Sequence, residues 1–159
     1  MKKLIVASIT PFDGQDQINE QAIKRLWDRN LAEGADGFFI GGSSGECFLL
    51  SERERIHTYE LGAQYLDRAE IFAHVGAIRT AEAVTYAKEA RALGIQNIAA
   101  TPPFYFGFSA KEVAHYYYDI ASAAGAPVLY YNIPSSTHRD LDPANPEIRE
   151  LLKSGAIGA

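Results

Sequence analysis

Apolar residues follow two alternating rhythms along this chain. The short runs Leu4 to Ile9, Gly37 to Ile40, Ile71 to Val75, Ile98 to Ala100 and Val128 to Tyr131 show little polar alternation, the pattern of strands covered on both faces. Between them the period becomes helical. Ile23, Leu26, Trp27 and Leu31 share one face, with Asn19 placed to cap that helix and Gly34 to stop it. Ser51-Glu52-Arg53-Glu54 and Ser109-Ala110-Lys111-Glu112 have the form of capping boxes, so helices open at both, the later one ending at Gly125. Ala81 to Leu93 reads as an alanine-rich helix closed by Gly94. Asn145-Pro146 supplies a cap and a first-turn proline for a last helix ending near Gly155, and Ala156 to Ala159 begins a sixth strand.

Strands alternating with helices predict right-handed βαβ units and an α/β fold with a parallel sheet. No linker or low-complexity stretch interrupts them, so residues 1–159 read as one domain. An open doubly wound sheet would satisfy the same alternation. Five complete units and the start of strand six better suit a (β/α)8 TIM barrel of about 250 residues, incomplete here. Such a piece would leave strand edges unpaired and a barrel interior open to water, so it is not expected to be stable alone.

Composition narrows the partners. With 47% hydrophobic and 22% charged residues, the chain holds enough apolar material for one sizeable core. A formal charge of −5 and no Lys/Arg-rich run give no field for phosphate backbones, which excludes nucleic acid. Met1-Lys2-Lys3 and the apolar residues after it mimic a signal peptide, but the run is short and Thr10-Pro11-Phe12-Asp13 ends it without a cleavage site. No stretch approaches the roughly 20 apolar residues that span a bilayer, so no membrane partner is expected. The single cysteine, Cys47, has no internal disulfide partner, which fits a reducing cytoplasm.

Barrel chemistry collects in the loops after the strands, and three such loops are rich in it. Gly41-Gly42-Ser43-Ser44-Gly45-Glu46 follows the second strand, Pro102-Pro103-Phe104-Tyr105-Phe106 the fourth, and Tyr130-Tyr131-Asn132-Ile133-Pro134 the fifth. Gly41, Gly42 and Gly45 let backbone N–H groups approach a ligand, and Ser43 and Ser44 add hydroxyl donors, a set suited to a small anion such as a carboxylate. The plain alternative is a tight turn whose serines satisfy their own backbone. A phosphate loop would need a following Gly-Lys-Ser/Thr, and Glu46 would repel phosphate. Gly41, Ser43 and Gly45 also satisfy Gly-x-Ser-x-Gly, which keeps open a serine hydrolase with Ser43 as nucleophile; against it, the next helix waits until Ser51 and no His-Gly-Gly motif precedes.

His57, His74, His115 and His138 lack metal-ligand spacing, so no metal is expected. His74 reads as a core histidine, His57 and His115 as helix-surface residues, and His138 as a loop residue placed to contact substrate. Each tyrosine has a plain alternative too, a packing ring with its hydroxyl on a carbonyl.

Gly42-Ser43-Ser44-Gly45-Glu46, Pro103-Phe104-Tyr105 and Tyr131-Asn132-Ile133-Pro134, with Thr10-Pro11-Phe12 at the start, together resemble the signatures of the dihydrodipicolinate synthase and N-acetylneuraminate lyase family of pyruvate-dependent class I aldolases. The likeness runs through the whole chain. It implies that Ser43 and Ser44 bind the carboxylate of pyruvate or another 2-oxo acid, with Gly42 and Gly45 in the same subsite. It further implies that Tyr131 transfers protons, and that Tyr105 completes a tyrosine relay in a neighbouring subunit of a dimer or tetramer. A Schiff-base lysine replaces any cofactor; the resemblance puts it on strand six, just beyond residue 159, and Lys153 on the preceding helix is not it. Among family members, the synthases carry Ser-Arg-Thr-Gly after Tyr-Asn-x-Pro, where this chain has Ser135-Ser136-Thr137-His138. Ser136 takes the arginine position, leaving Arg139 as a neighbouring anion contact. Ala73-His74-Val75-Gly76 and Phe104 to Ser109 lean towards the sialic acid lyases. The expectation is therefore an N-acetylneuraminate lyase-like enzyme, with a dihydrodipicolinate synthase, a serine hydrolase and a noncatalytic module as alternatives.

Overall fold

The structure, a computed structural model, describes residues 2–158. Met1 of the signal-like opening and Ala159 of the expected sixth strand lie outside them. Its elements are β1 (Ile5–Ala7), α1 (Glu20–Ala32), β2 (Gly37–Ile40), α2 (Glu52–Ala63), β3 (Glu70–His74), α3 (Thr80–Ala92), β4 (Asn97–Ala100), α4 (Ala110–Ala124), β5 (Val128–Tyr130), α5 (Pro134–Thr137), α6 (Pro146–Ser154) and β6 (Ile157–Gly158). They form two compact units, one holding β1 to β3 with α1, α2 and the turn at 92–96, the other β4 to β6 with most of α3 and α4 to α6.

In the first unit β2 lies between β1 and β3, both pairings parallel, with Phe38 opposite Val6 and Ile71. Trp27 of α1 stacks on Phe38 at 5.0 Å while Tyr65 meets the Trp27 ring edge-on at 5.0 Å, so three large rings make the core of this unit. The Trp27 indole N–H, buried with its ring, donates to Ser8 Oγ at 2.8 Å. The caps form as expected: Asn19 accepts from Ala22 N, and Ser51 and Glu54 close a capping box.

β1 departs from the sequence expectation. It spans three residues, and Leu4 and Ile9 are 57% and 52% exposed rather than covered on both faces. Its pairing with β2 runs from Ile5 to Ala7, so Leu4 and Ile9 fall outside the ladder. His57 departs too. Its ring nitrogens lie 2.7 Å from Glu60 Oε2 and 3.0 Å from Glu20 Oε1, so it ties α2 to α1 half-buried instead of standing on a free surface.

In the second unit β5 lies between β4 and β6, again parallel. Its core sets Val113, Tyr116, Tyr117 and Ile120 of α4 with Ile98, Val128, Ile148 and Leu151. Tyr116 and Tyr117 are buried rings whose hydroxyls donate to Ala77 O and Ala100 O, the packing role open to any tyrosine here. Ser109 and Glu112 close the second capping box, and Gly125 ends α4 in the left-handed region. α5 was not expected from the pattern, because Pro134-Ser135-Ser136-Thr137 carries no apolar period; its proline sits at the first helical position, where the missing N–H costs nothing. Among the described residues no helix is long and apolar enough to cross a membrane.

Candidate active site

β2 runs directly into the serine loop. Gly41, Gly42 and Gly45 are buried, whereas Ser43 and Ser44 are exposed, so the backbone is packed down while the hydroxyls face outward. Ser43–Gly45 forms one 3-10 turn, closed by Gly45 N to Gly42 O at 3.0 Å and Glu46 N to Ser43 O at 3.0 Å. Gly41 has φ +62, and a Cβ there would meet Tyr59 Cε1 at 3.3 Å and His74 O at 3.4 Å. Gly45 is held the same way: a Cβ would lie 3.1 Å from both Ser8 O and Thr10 Oγ1. The positive φ favours glycine at Gly41, and at Gly45 a side chain would have to push the chain at Ser8 and Thr10 aside by a few tenths of an ångström.

The loop rests on buried polar groups. The Thr10 hydroxyl donates to Gly45 O at 2.8 Å, which gives Thr10-Pro11-Phe12 a structural task. Below Gly41, the fully buried His74 ring places Nδ1 2.8 Å from Gly41 O. A carbonyl only accepts, so Nδ1 carries the proton, and the Arg55 Nη2 that lies 3.1 Å from the same nitrogen is a close neighbour rather than a donor to it. That Nη2 donates instead to His74 O at 2.9 Å, which also accepts from Tyr59 Oη at 2.7 Å. Burial, reinforced by the adjacent guanidinium, pushes the His74 pKa down to about 3 against the opposing pull of the Gly41 carbonyl, so the ring is neutral at physiological pH.

This arrangement does not support a hydrolase. An elbow nucleophile sits on a strained turn entering a helix, but α2 starts only at Glu52 and left-handed backbone occurs at Glu46, not Ser43.

The second unit places Tyr131 one residue past the C-terminal end of β5, its N–H donating to Ala100 O at 2.9 Å and its side chain half-buried. Its neighbour Tyr130 is part-buried, and burial, helped by the nearby Asp140 carboxylate, raises the phenol to about 12. Tyr105 is 84% exposed, with φ 73, and packs edge-on against Phe106 at 4.9 Å. His138 is exposed and caps α5 with φ 51. The structure brings the Tyr105 and His138 loops together through Arg139, whose Nη2 donates to Phe106 O at 3.1 Å and whose guanidinium lies 5.6 Å from the Phe108 ring centre. Arg139 thus braces the aromatic loop, and its charge also acts on the Glu112 carboxylate, which it helps to hold below the usual range after the Ser109 hydrogen bonds.

Two features escaped the sequence reading. Arg55, Thr58, Tyr59 and Gly62 are buried on one face of α2, so a charged residue sits on the inward stripe, a signal the spacing carried. Glu46, Tyr105 and His138, three of the four described non-glycine residues with positive φ, fall in the expected site loops. That backbone costs about 1–2 kcal/mol at each and is legible only in coordinates.

Known proteins share this frame. An N-acetylneuraminate lyase of Salmonella paratyphi B is 38% identical over 137 residues, 85% of this chain and 46% of that protein. The solved structure of CdNal from Clostridium difficile, in complex with mannosamine, superposes with a TM-score of 0.91 over 99% of this chain and 54% of its own, at 31% identity. YagE of E. coli K12, a prophage protein of the dihydrodipicolinic acid synthase family solved with pyruvate, gives 0.88 over 96% of this chain and 51% of its own, at 27%. The chain spans about half the length of the curated relatives it matches. The expected α/β fold, a partial (β/α)8 barrel, is the fold of these aldolases. The sequence profile of the Dihydrodipicolinate synthetase family matches residues 1–159, and the chain belongs to that family.

Proposed function

We propose that the protein, in its complete form, is a class I aldolase that splits a sugar acid into pyruvate and an aldehyde, as a sialic acid lyase does. The observation that carries this is the serine loop: buried glycine backbone that pushes Ser43 and Ser44 outward at the C-terminal end of β2. Relatives named N-acetylneuraminate lyase and a relative solved with pyruvate support it.

In this reading the Ser43 and Ser44 hydroxyls hold the 2-oxo acid carboxylate, and Gly42 and Gly45, without side chains, leave it room to approach the turn. A lysine amine, which the resemblance puts on strand six, condenses with the ketone and expels water. The resulting iminium takes up the electron pair of the breaking carbon–carbon bond as the substrate hydroxyl loses its proton. Tyr131 moves that proton, and Tyr105 serves the relay of an adjoining subunit in a dimer or tetramer, a role its exposure beside the exposed Phe106 suits. His138, exposed at the end of α5, contacts the polar part of the sugar acid. A reducing cytoplasm, where the free thiol of Cys47 persists, completes the proposal.

Borohydride reduction of the full-length protein with pyruvate tests it. One reduced pyruvyl group is expected on a single lysine, at a half-saturating pyruvate concentration that Ser43→Ala raises roughly tenfold, the loss of one charge-assisted hydrogen bond. Absence of the adduct refutes the aldolase reading.

A further inference from the structure

The buried groups under the serine loop lie outside the mechanism just described, and they form one connected set. Arg55 is 2% exposed. Its Nε donates to Tyr59 Oη at 3.2 Å, Tyr59 Oη donates to His74 O at 2.7 Å, Arg55 Nη2 donates to the same carbonyl at 2.9 Å, and His74 Nδ1 donates to Gly41 O at 2.8 Å. The Phe48 ring centre lies 5.8 Å from the guanidinium carbon, and Cys47 Sγ lies 3.7 Å from His74 Nδ1. Phe48 and Cys47 belong to the chain that leaves the loop, and Gly41 to the chain that enters it. One arginine thus touches, directly or through one residue, both ends of the segment carrying Ser43 and Ser44.

We propose that Arg55 is a positioning residue for the anion subsite: through Tyr59 and His74 it fixes the Gly41 carbonyl and hence the direction of the serine turn, and its buried charge makes that turn prefer a carboxylate over a neutral ketone. The inference rests on the aldolase reading above. Its electrostatic half stands on geometry: the guanidinium carbon lies 5.8 Å from the Phe48 ring centre and Nη2 lies 3.1 Å from His74 Nδ1, which is 3.7 Å from Cys47 Sγ, so the charge sits under the chain that leaves the loop. A full positive charge in a low-dielectric surround acts over such distances with little screening. Lysine would keep the charge without the planar fork that reaches both Tyr59 and His74.

The experiment compares the full-length protein with Arg55→Lys, Arg55→Met and Tyr59→Phe. Each is scored by borohydride trapping at graded concentrations of pyruvate and of its neutral analogue ethyl pyruvate, and by kcat and KM, with circular dichroism to establish folding. Arg55→Met should raise the half-saturating pyruvate concentration roughly tenfold, change kcat less, and erase most of the preference for pyruvate over the ester. Arg55→Lys should keep the preference for the anion while losing part of the affinity, which a purely structural arginine would not predict. Tyr59→Phe, which deletes one oxygen and keeps the ring, should shift affinity in the same direction by a smaller factor. Folded variants with wild-type affinity and wild-type acid-to-ester preference overturn the proposal; should Arg55→Met not fold, the Arg55→Lys and Tyr59→Phe results decide. If the unaltered protein traps no pyruvate, the aldolase reading and this inference fall together, whereas normal trapping by all variants removes this inference alone.

Discussion

A histidine whose ring is fully buried beside a guanidinium must stay neutral, and that has a thermodynamic cost in acid. The unfolded chain takes up a proton near pH 6.5, while folded His74 resists it down to about 3. Protonation therefore favours the unfolded chain, so the stability tied to the neutral ring is fully present above pH 6.5. It is lost as pH falls from there towards 3, at about 1.4 kcal/mol per pH unit. In His74→Asn this part of the slope should vanish: urea titrations at pH 7, 6, 5 and 4 should show the variant weaker at pH 7 and the gap closing with acid. Parallel curves would mean that His74 does not set this dependence. The same residue marks the limit of residue-level reading. Its apolar strand neighbours announced a core histidine, and the glycines around Ser43 and Ser44 announced a tight turn. What spacing alone did not give was the contact of Arg55 with Tyr59 and His74, which forms only when α2 packs on β2 and β3.

Helix ends were legible because they are local. A serine followed three residues later by glutamate needs nothing beyond its own turn to form a cap, and both Ser51 and Ser109 do so. The Ser51 hydroxyl and N–H bonds hold the Glu54 carboxylate below its usual 4.5. Ser51→Ala should then cost about 1 kcal/mol at neutral pH, read as a lower urea midpoint at constant slope. Because the folded carboxylate titrates below the unfolded one, the contribution is present above pH 4.5 and lost as pH falls through the lower folded value, so the gap to the unaltered protein should shrink as the solution is acidified below pH 4.5. An unchanged gap at pH 3.5 would assign the cap energy to the serine alone. Elements without local signals fared worse: α5 has no apolar stripe, and the apolar run at Leu4 to Ile9 overshot β1 at both ends because pairing with β2, not hydrophobicity, sets where the strand ends.

At the scale of the molecule the alternation of elements sufficed for the α/β architecture, since repeated strand–helix units admit few arrangements. No change of composition separates β3 from β4, and the chain runs from one to the other without a linker. Binding offers a test at this same scale. A ligand that binds only the folded form stabilises the whole molecule by mass action, about 2.7 kcal/mol at a hundredfold excess over Kd, which is several degrees in Tm. Pyruvate should therefore raise the melting temperature of the full-length protein, acetone at equal concentration should not, and Ser43→Ala should need roughly tenfold more pyruvate for the same shift. The comparison separates the carboxylate from the ketone, since both molecules carry the reactive carbonyl and only one carries the anion that Ser43 and Ser44 are proposed to hold. Equal shifts with the two compounds would locate the binding energy in the imine and leave the serine turn a structural feature.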